Sequence, residues 1–99
     1  GDIFLVGYVN DEMVVTGGVI KESDGAGRVV RVSVKKEYRR QGFAARLMND
    51  LESAARQKGY RNLILETNQE WSSAVTLYKK LGFEESAVAD GCIQMVKHL

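Results

Sequence analysis

Apolar residues run along this chain in two rhythms. From Ile3 to Val9 and from Met13 to Ile20 they are dense and rich in β-branched and aromatic types, around the polar stretch Asn10-Asp11-Glu12, which predicts two strands joined by a turn. Gly17-Gly18 inside the second strand fits a close approach by another backbone or, as expected here, a bulge. Lys21 to Gly27 reads as a polar, glycine-containing connection, and Arg28 to Lys35 as a third strand of the antiparallel sheet. The rhythm then changes. Phe43, Leu47, Leu51, Ala54 and Ala55 fall at helical spacing, and the helix they predict runs to about Lys58, with Gly59 past its end and Arg56 and Lys58 beside its negative pole. Asn62 to Thr67 is a buried strand, so strand, helix and strand form a βαβ unit whose strands lie parallel through a right-handed crossover. A second helix covers about Ser72 to Leu81 and stops at Gly82. Phe83 to Val88 and Gly91 to Lys97 close the chain as a hairpin with its tight turn at Asp90-Gly91. The element order β-β-β-α-β-α-β-β is that of a mixed α/β (α+β) sheet.

Composition narrows the picture. At 99 residues, without repeats, proline or a low-complexity linker, the chain predicts one domain over residues 1–99 with little stability in reserve. The net charge of +1 argues against a general nucleic-acid binder, but Arg28, Arg31, Lys35, Lys36, Arg39, Arg40 and Arg46 crowd the middle of the chain. A localised anionic ligand suits that distribution better than a DNA groove. Arg56, Lys58 and Arg61 add to the crowding, and for them a solvated basic face is the alternative account. One cysteine forms no internal disulfide. Cys92 lies in the alternating pattern of the last strand, and with no CxxC spacing or neighbouring His it predicts neither catalysis nor a metal site. His98 reads as a surface side chain. No apolar run reaches transmembrane length and the amino terminus is not signal-like, so the expectation is a cytoplasmic protein with no metal and no nucleic-acid or membrane partner.

The candidate chemistry gathers where the third strand hands over to the first helix, at Arg39-Arg40-Gln41-Gly42-Phe43-Ala44. A helix opening from a glycine turn presents free N–H groups and the positive end of its dipole, and arginines at its mouth add charge, which makes an anion site. It is neither a dinucleotide fingerprint nor a Walker A loop, because one glycine stands alone. Arg39-x-x-Gly42-x-Ala44 does match R/Q-x-x-G-x-G/A, and Ala74-x-x-Leu77-Tyr78-x-x-x-Gly82-Phe83 follows as A-x-x-L-Y-x-x-x-G-F. With these two motifs in order, nearly the whole chain from Ile3 resembles the GCN5-related N-acetyltransferase (GNAT) family.

The resemblance implies an N-acetyltransferase that carries an acetyl group from acetyl-CoA to a primary amine, of a small molecule or a protein, by direct attack. It implies that the backbone of Val32, Ser33 and Val34 pairs with pantetheine, that amides of Arg39, Arg40, Gln41, Gly42, Phe43, Ala44 and Ala45 hold the pyrophosphate, and that Tyr78 protonates the departing sulfur. An amine of pKa ~10.4 is neutral to only about one part in a few thousand at pH 7, so a base helps. Similar enzymes that acetylate protein amino termini carry a glutamate twelve residues before the tyrosine, which falls on Glu66; a structural glutamate paired to an arginine is the competing account. Departures from the pattern exist. Many members have a glutamate near Arg28, which accepts no proton, and an asparagine where Trp71 stands, a role Asn68 can substitute; Trp71 itself is expected to bury against the sheet. These departures keep a second function open, a non-catalytic CoA-binding or regulatory module. The family's first strand and two helices have no counterpart here, as expected of a fragment, and the exposed first strand then predicts a homo-oligomer through its edge or a covering partner segment.

Overall fold

The computed structural model describes residues 2–99. Its elements are β1 (Ile3–Val9), β2 (Glu12–Ser23), β3 (Ala26–Val34), a 3-10 turn at Lys36–Tyr38, α1 (Phe43–Gln57), β4 (Asn62–Asn68), α2 (Ser72–Lys80), β5 (Glu84–Ala89) and β6 (Cys92–His98). The strands form one six-stranded sheet in the order β1-β2-β3-β4-β6-β5. Only the β3–β4 pairing is parallel, as the α1 crossover requires, and every other neighbouring pair is antiparallel.

The β2–β3 hairpin is longer than its polar sequence predicts. Lys21, Glu22 and Ser23 continue β2, and only the turn around Gly25, at φ +79°, is left of the expected connection. Polar side chains are no obstacle there: all three residues are exposed, Lys21 and Ser23 pair through backbone, and the Glu22 side chain binds Arg28 of β3 across the hairpin. The second strand's own extra residues are Val14, against β1, and Glu22, against β3; the ladder also breaks between Thr16 and Gly18, where a bulge is expected, but on the partner strand. Thr16 pairs with Ser33 and Gly18 with Val30, so the extra residue belongs to β3, opposite Gly17, and Arg31 adopts φ +56° to accommodate it. The second strand's glycines serve close approach instead: a Cβ on Gly17 would stand 2.7 Å from Leu47 of α1, and one on Gly18 would stand 2.5 Å from the Phe4 ring.

The core lies between the sheet and both helices. Leu47, Met48, Leu51 and Ala55 give α1 its buried stripe, meeting Val15 and Val19 of β2 and Val29 of β3. Leu63, Leu65, Ile93, Met95 and Phe83 continue the core, and Val75, Tyr78 and Leu81 pack against it from α2 and its end. Lys97, beside Gly82, reaches back to Glu52 of α1 at 2.6 Å, so the two helices share one face of the sheet. The other face carries Phe4, Val6, Tyr8 and Met13, each about half exposed or more. No helix of the described residues is long and apolar enough to cross a membrane.

Each helix ends on a glycine for a stated reason. Gly59 at φ +88° and Gly82 at φ +98° take the left-handed conformation that lets the chain turn back. Gly59 N–H then donates to Arg56 O and Tyr60 N–H to Ala55 O, while Gly82 N–H donates to Lys79 O and Phe83 N–H to Tyr78 O. Both are Schellman ends. In the second, the accompanying apolar contact is Tyr78 against Phe83, edge to face with centroids 5.9 Å apart. Tyr78-x-x-x-Gly82-Phe83 is therefore a helix stop that also fixes a tyrosine ring.

Candidate active site

β3 and β4 make a fork. Their ladder runs from Ala26–Asn62 to Arg28–Ile64 and stops, yet β3 continues to Val34 alongside β2 and β4 to Asn68 alongside β6. Beyond Arg28 the facing edges of these two central strands have no ladder between them. Val32, Ser33 and Val34, expected to face pantetheine, all lie on this unpaired arm, and the Arg31 bulge sits just before them. Val34 O already accepts Arg39 Nε at 3.2 Å.

The arm leads into the loop that opens α1. Arg40 and Gly42 both adopt left-handed backbone, φ +64° and +86°, and no side chain caps the helix, so its first N–H groups have no side-chain partner. Gly42 has nothing within 4 Å of where a Cβ would be, so its conformation rather than its size is what the turn uses. Arg39, Arg40 and Gln41 are exposed, whereas Phe43, Ala44 and Ala45 are half-buried as the helix sinks into the sheet. Tyr38 packs edge-on against Phe43, and Gln41 Nε2 donates to Glu37 O, which steadies the loop from within. From outside, Lys35 Nζ binds Glu12 of the β1–β2 hairpin at 2.5 Å.

Tyr78 is half-buried, and burial raises its pKa above the ordinary 10.0, so the phenol stays protonated through neutral pH. No buried side-chain oxygen lacks a partner and no hydrogen bond to its hydroxyl occurs among the described residues, so that hydroxyl is reached by solvent and free to donate. Glu66 is exposed at the outer part of β4, on the helix-free face, and its Oε1 accepts Arg28 Nη1 at 3.1 Å. Arg28 is gripped in turn by Glu22, Nε to Oε2 at 2.6 Å and Nη2 to Oε1 at 3.0 Å. Arg28 thus ties β2, β3 and β4 together.

Asn68 ends β4. Its Oδ1 accepts the Glu70 N–H at 2.8 Å and its carbonyl accepts the Trp71 N–H at 3.0 Å, which shapes the turn into α2. Trp71 is 63% exposed, not buried against the sheet, because it stands before the first turn of α2, outside the helix's packed face. Cys92 is an exposed strand residue and His98 an exposed one paired with Asn62. A groove of about 530 Å³ lies apart from the fork, between β1 and α1, where Leu5, Gly7, Leu47 and Ala54 form its walls.

The pairing of Glu66 to an arginine, the competing account in the sequence, is present, and the arginine is Arg28. Neither that partner nor the bulge on β3 has a signal in the sequence: nothing in a β-branched run marks which residue will leave the ladder, and an ion pair across 38 positions leaves no local pattern.

Comparison with known proteins agrees with this geometry. Residues 1–85 match the model of the acetyltransferase (GNAT) domain. The chain is similar to human N-acetyltransferase 8, 31% identical over 98 residues, which make up 94% of this chain but 43% of that protein. It therefore spans less than half of that relative's length. Among solved structures it superposes on PaiA N-acetyltransferase from Thermoplasma acidophilum in complex with coenzyme A, at TM-score 0.93 and 18% identity, covering 99% of this chain and 61% of that one. It also superposes on ribosomal-protein-S18-alanine N-acetyltransferase from Escherichia coli, at TM-score 0.86 and 22% identity, covering 98% and 68%. With a sheet forked between its central strands, a glycine-opened helix at the end of one arm, and a family model matched across most of its length, the chain belongs to the GNAT acetyltransferase family.

Proposed function

We propose that this domain is an acetyl-CoA-dependent N-acetyltransferase acting on a primary amine of a small molecule or protein by direct attack on the thioester. The observation that carries the reading is the fork opening beside the uncapped start of α1. An extended pantetheine would lie along Val32, Ser33 and Val34, and its pyrophosphate would meet the N–H groups and arginines from Arg39 to Ala45. Asn68, at the tip of the other arm, would line the same cleft. Where an amide of the cofactor takes the place of Arg39 Nε on Val34 O, that guanidinium would be freed for phosphate.

In the reaction the neutral amine attacks the acetyl carbonyl, and the tetrahedral intermediate expels the thiolate of CoA. Tyr78 would protonate that sulfur, the role its protonated phenol suits. Before the attack Glu66 would accept a proton from the ammonium form of the acceptor, directly or through water, which leaves the neutral amine. The relatives' names support acetyl transfer, coenzyme A in the Thermoplasma structure supports the cosubstrate, and the Escherichia coli enzyme's name supports a protein amine as one class of acceptor.

A non-catalytic CoA-binding module is favoured by one observation, that Glu66 is held by Arg28. Release of free thiol from acetyl-CoA in the presence of an amine library decides between the two. Turnover establishes the enzyme, and binding without turnover establishes the module. We further propose that the chain forms a single acetyltransferase domain that associates through the edge of β1.

A further inference from the structure

We infer that Arg28 is a positioning residue that sets the Glu66 carboxylate for the acceptor amine, acting from the crotch of the fork. It stands at the last rung between β3 and β4, and its side chain projects on the helix-free face, shared with Ile64 and Glu66. Both Glu22 oxygens clamp one edge of its guanidinium, so the planar group cannot swing. Nη1 is thereby aimed past the last rung at Oε1 of Glu66, on the diverging part of β4. Among the described residues this is the only hydrogen bond to the Glu66 side chain, which leaves Oε2 open in a carboxylate 52% exposed. The triad carries two carboxylates and one guanidinium, a net single negative charge with the arginine already satisfied. Such a site favours a cationic acceptor that has no carboxylate beside its amine, over a zwitterionic amino acid.

The inference rests on the acetyl-transfer reading with Glu66 in the acceptor site. Its test is a double-mutant cycle on kcat, with thiol release from acetyl-CoA measured against an alkyl diamine and against free glycine. Arg28→Lys keeps the charge but replaces a rigid planar fork, clamped along one edge by Glu22, with a point charge on a flexible stem that does not fix the direction of the bond to Glu66. It is expected to lower kcat about tenfold with the KM for acetyl-CoA unchanged, and Glu66→Gln to lower it about a hundredfold. Because Arg28 acts through Glu66, the double variant should be no slower than Glu66→Gln alone. Multiplying losses, or an Arg28→Lys protein as fast as wild type, overturn the inference, as does equal use of glycine and the diamine. Glu22→Gln, which leaves both Arg28 and Glu66 in place, guards against a folding defect and should slow kcat about threefold at an unchanged folded fraction; a fall in Tm without a fall in kcat per folded molecule makes the triad structural. Failure of wild type to release thiol with any amine removes the acetyl-transfer reading and this inference with it, whereas wild-type turnover with an unaffected Arg28→Lys removes only the role of Arg28.

Discussion

At the scale of single residues the most informative side chain is Tyr78, because its sequence position serves two ends at once. It is the residue whose carbonyl receives the returning chain at the end of α2, and its ring rests on Phe83. Replacing it with phenylalanine keeps that packing and the backbone bond and removes only the hydroxyl. Tyr78→Phe is therefore expected to lower kcat by ~10²–10⁴ with the affinity for CoA unchanged, as measured by steady-state kinetics and calorimetry. The pH dependence has a definite form. Burial raises the phenol's pKa, so the unfolded chain releases this proton first, and the group's contribution to stability falls only as pH climbs past the ordinary 10.0. Between pH 6 and 9 the wild-type rate should rise with the neutral fraction of the amine, and Tyr78→Phe should keep that slope at lower height. A descending limb near pH 8 that disappears in Tyr78→Phe would contradict this assignment. Glu66 is different: its spacing from Tyr78 and its pairing to an arginine are both legible in the sequence, and which arginine holds it is not.

At the scale of elements, the helices, their glycine stops, the parallel β3–β4 pair and the closing hairpin all follow from period and punctuation. Two things did not. The Lys21 to Ser23 stretch reads as a loop because its side chains are polar, but the backbone pairs of Lys21 and Ser23 and the bond of Glu22 to Arg28 extend the hairpin. The bulge looked as though it belonged to Gly17-Gly18, yet these glycines spend their missing Cβ on Leu47 and Phe4, and Arg31 bears the irregular backbone. The loop into α1 allows the sharpest test at this scale. With open space around Gly42, Gly42→Ala costs only the left-handed strain of an L-residue, about 1–2 kcal/mol, and should weaken CoA binding without abolishing it. Gly42→Asp adds a carboxylate where the phosphate would sit and should abolish binding by calorimetry. Equal losses from the two variants would mean that conformation alone, not charge, controls the site.

For the whole molecule, the decisive asymmetry is that both helices cover one face of the sheet while Phe4, Val6, Tyr8 and Met13 remain open on the other. β1 is also a terminal strand, so edge and face invite contact together. Val6, 49% exposed, points to the open face, and Leu5 lines the groove against α1. In sedimentation velocity over a concentration series, Val6→Lys should shift the population toward monomer with Tm unchanged, whereas Leu5→Lys should lower Tm. Concentration-independent monomer in the wild type would rule out association through this edge. The parted strands at the centre have a consequence of their own. A sheet interrupted along its middle is an unzipped seam, and a bound cofactor would supply the missing row of partners as a detachable strand, so that binding and the completion of the fold become one event. Heat resistance should then follow ligand supply: a hundredfold excess over Kd adds about 2.7 kcal/mol, and for a domain of this size each kcal/mol raises Tm by about 4–8 °C. The gain should be written unevenly in hydrogen exchange, large for amides of Val29 to Val34 and small for Ala26 to Arg28, where the seam is already sewn.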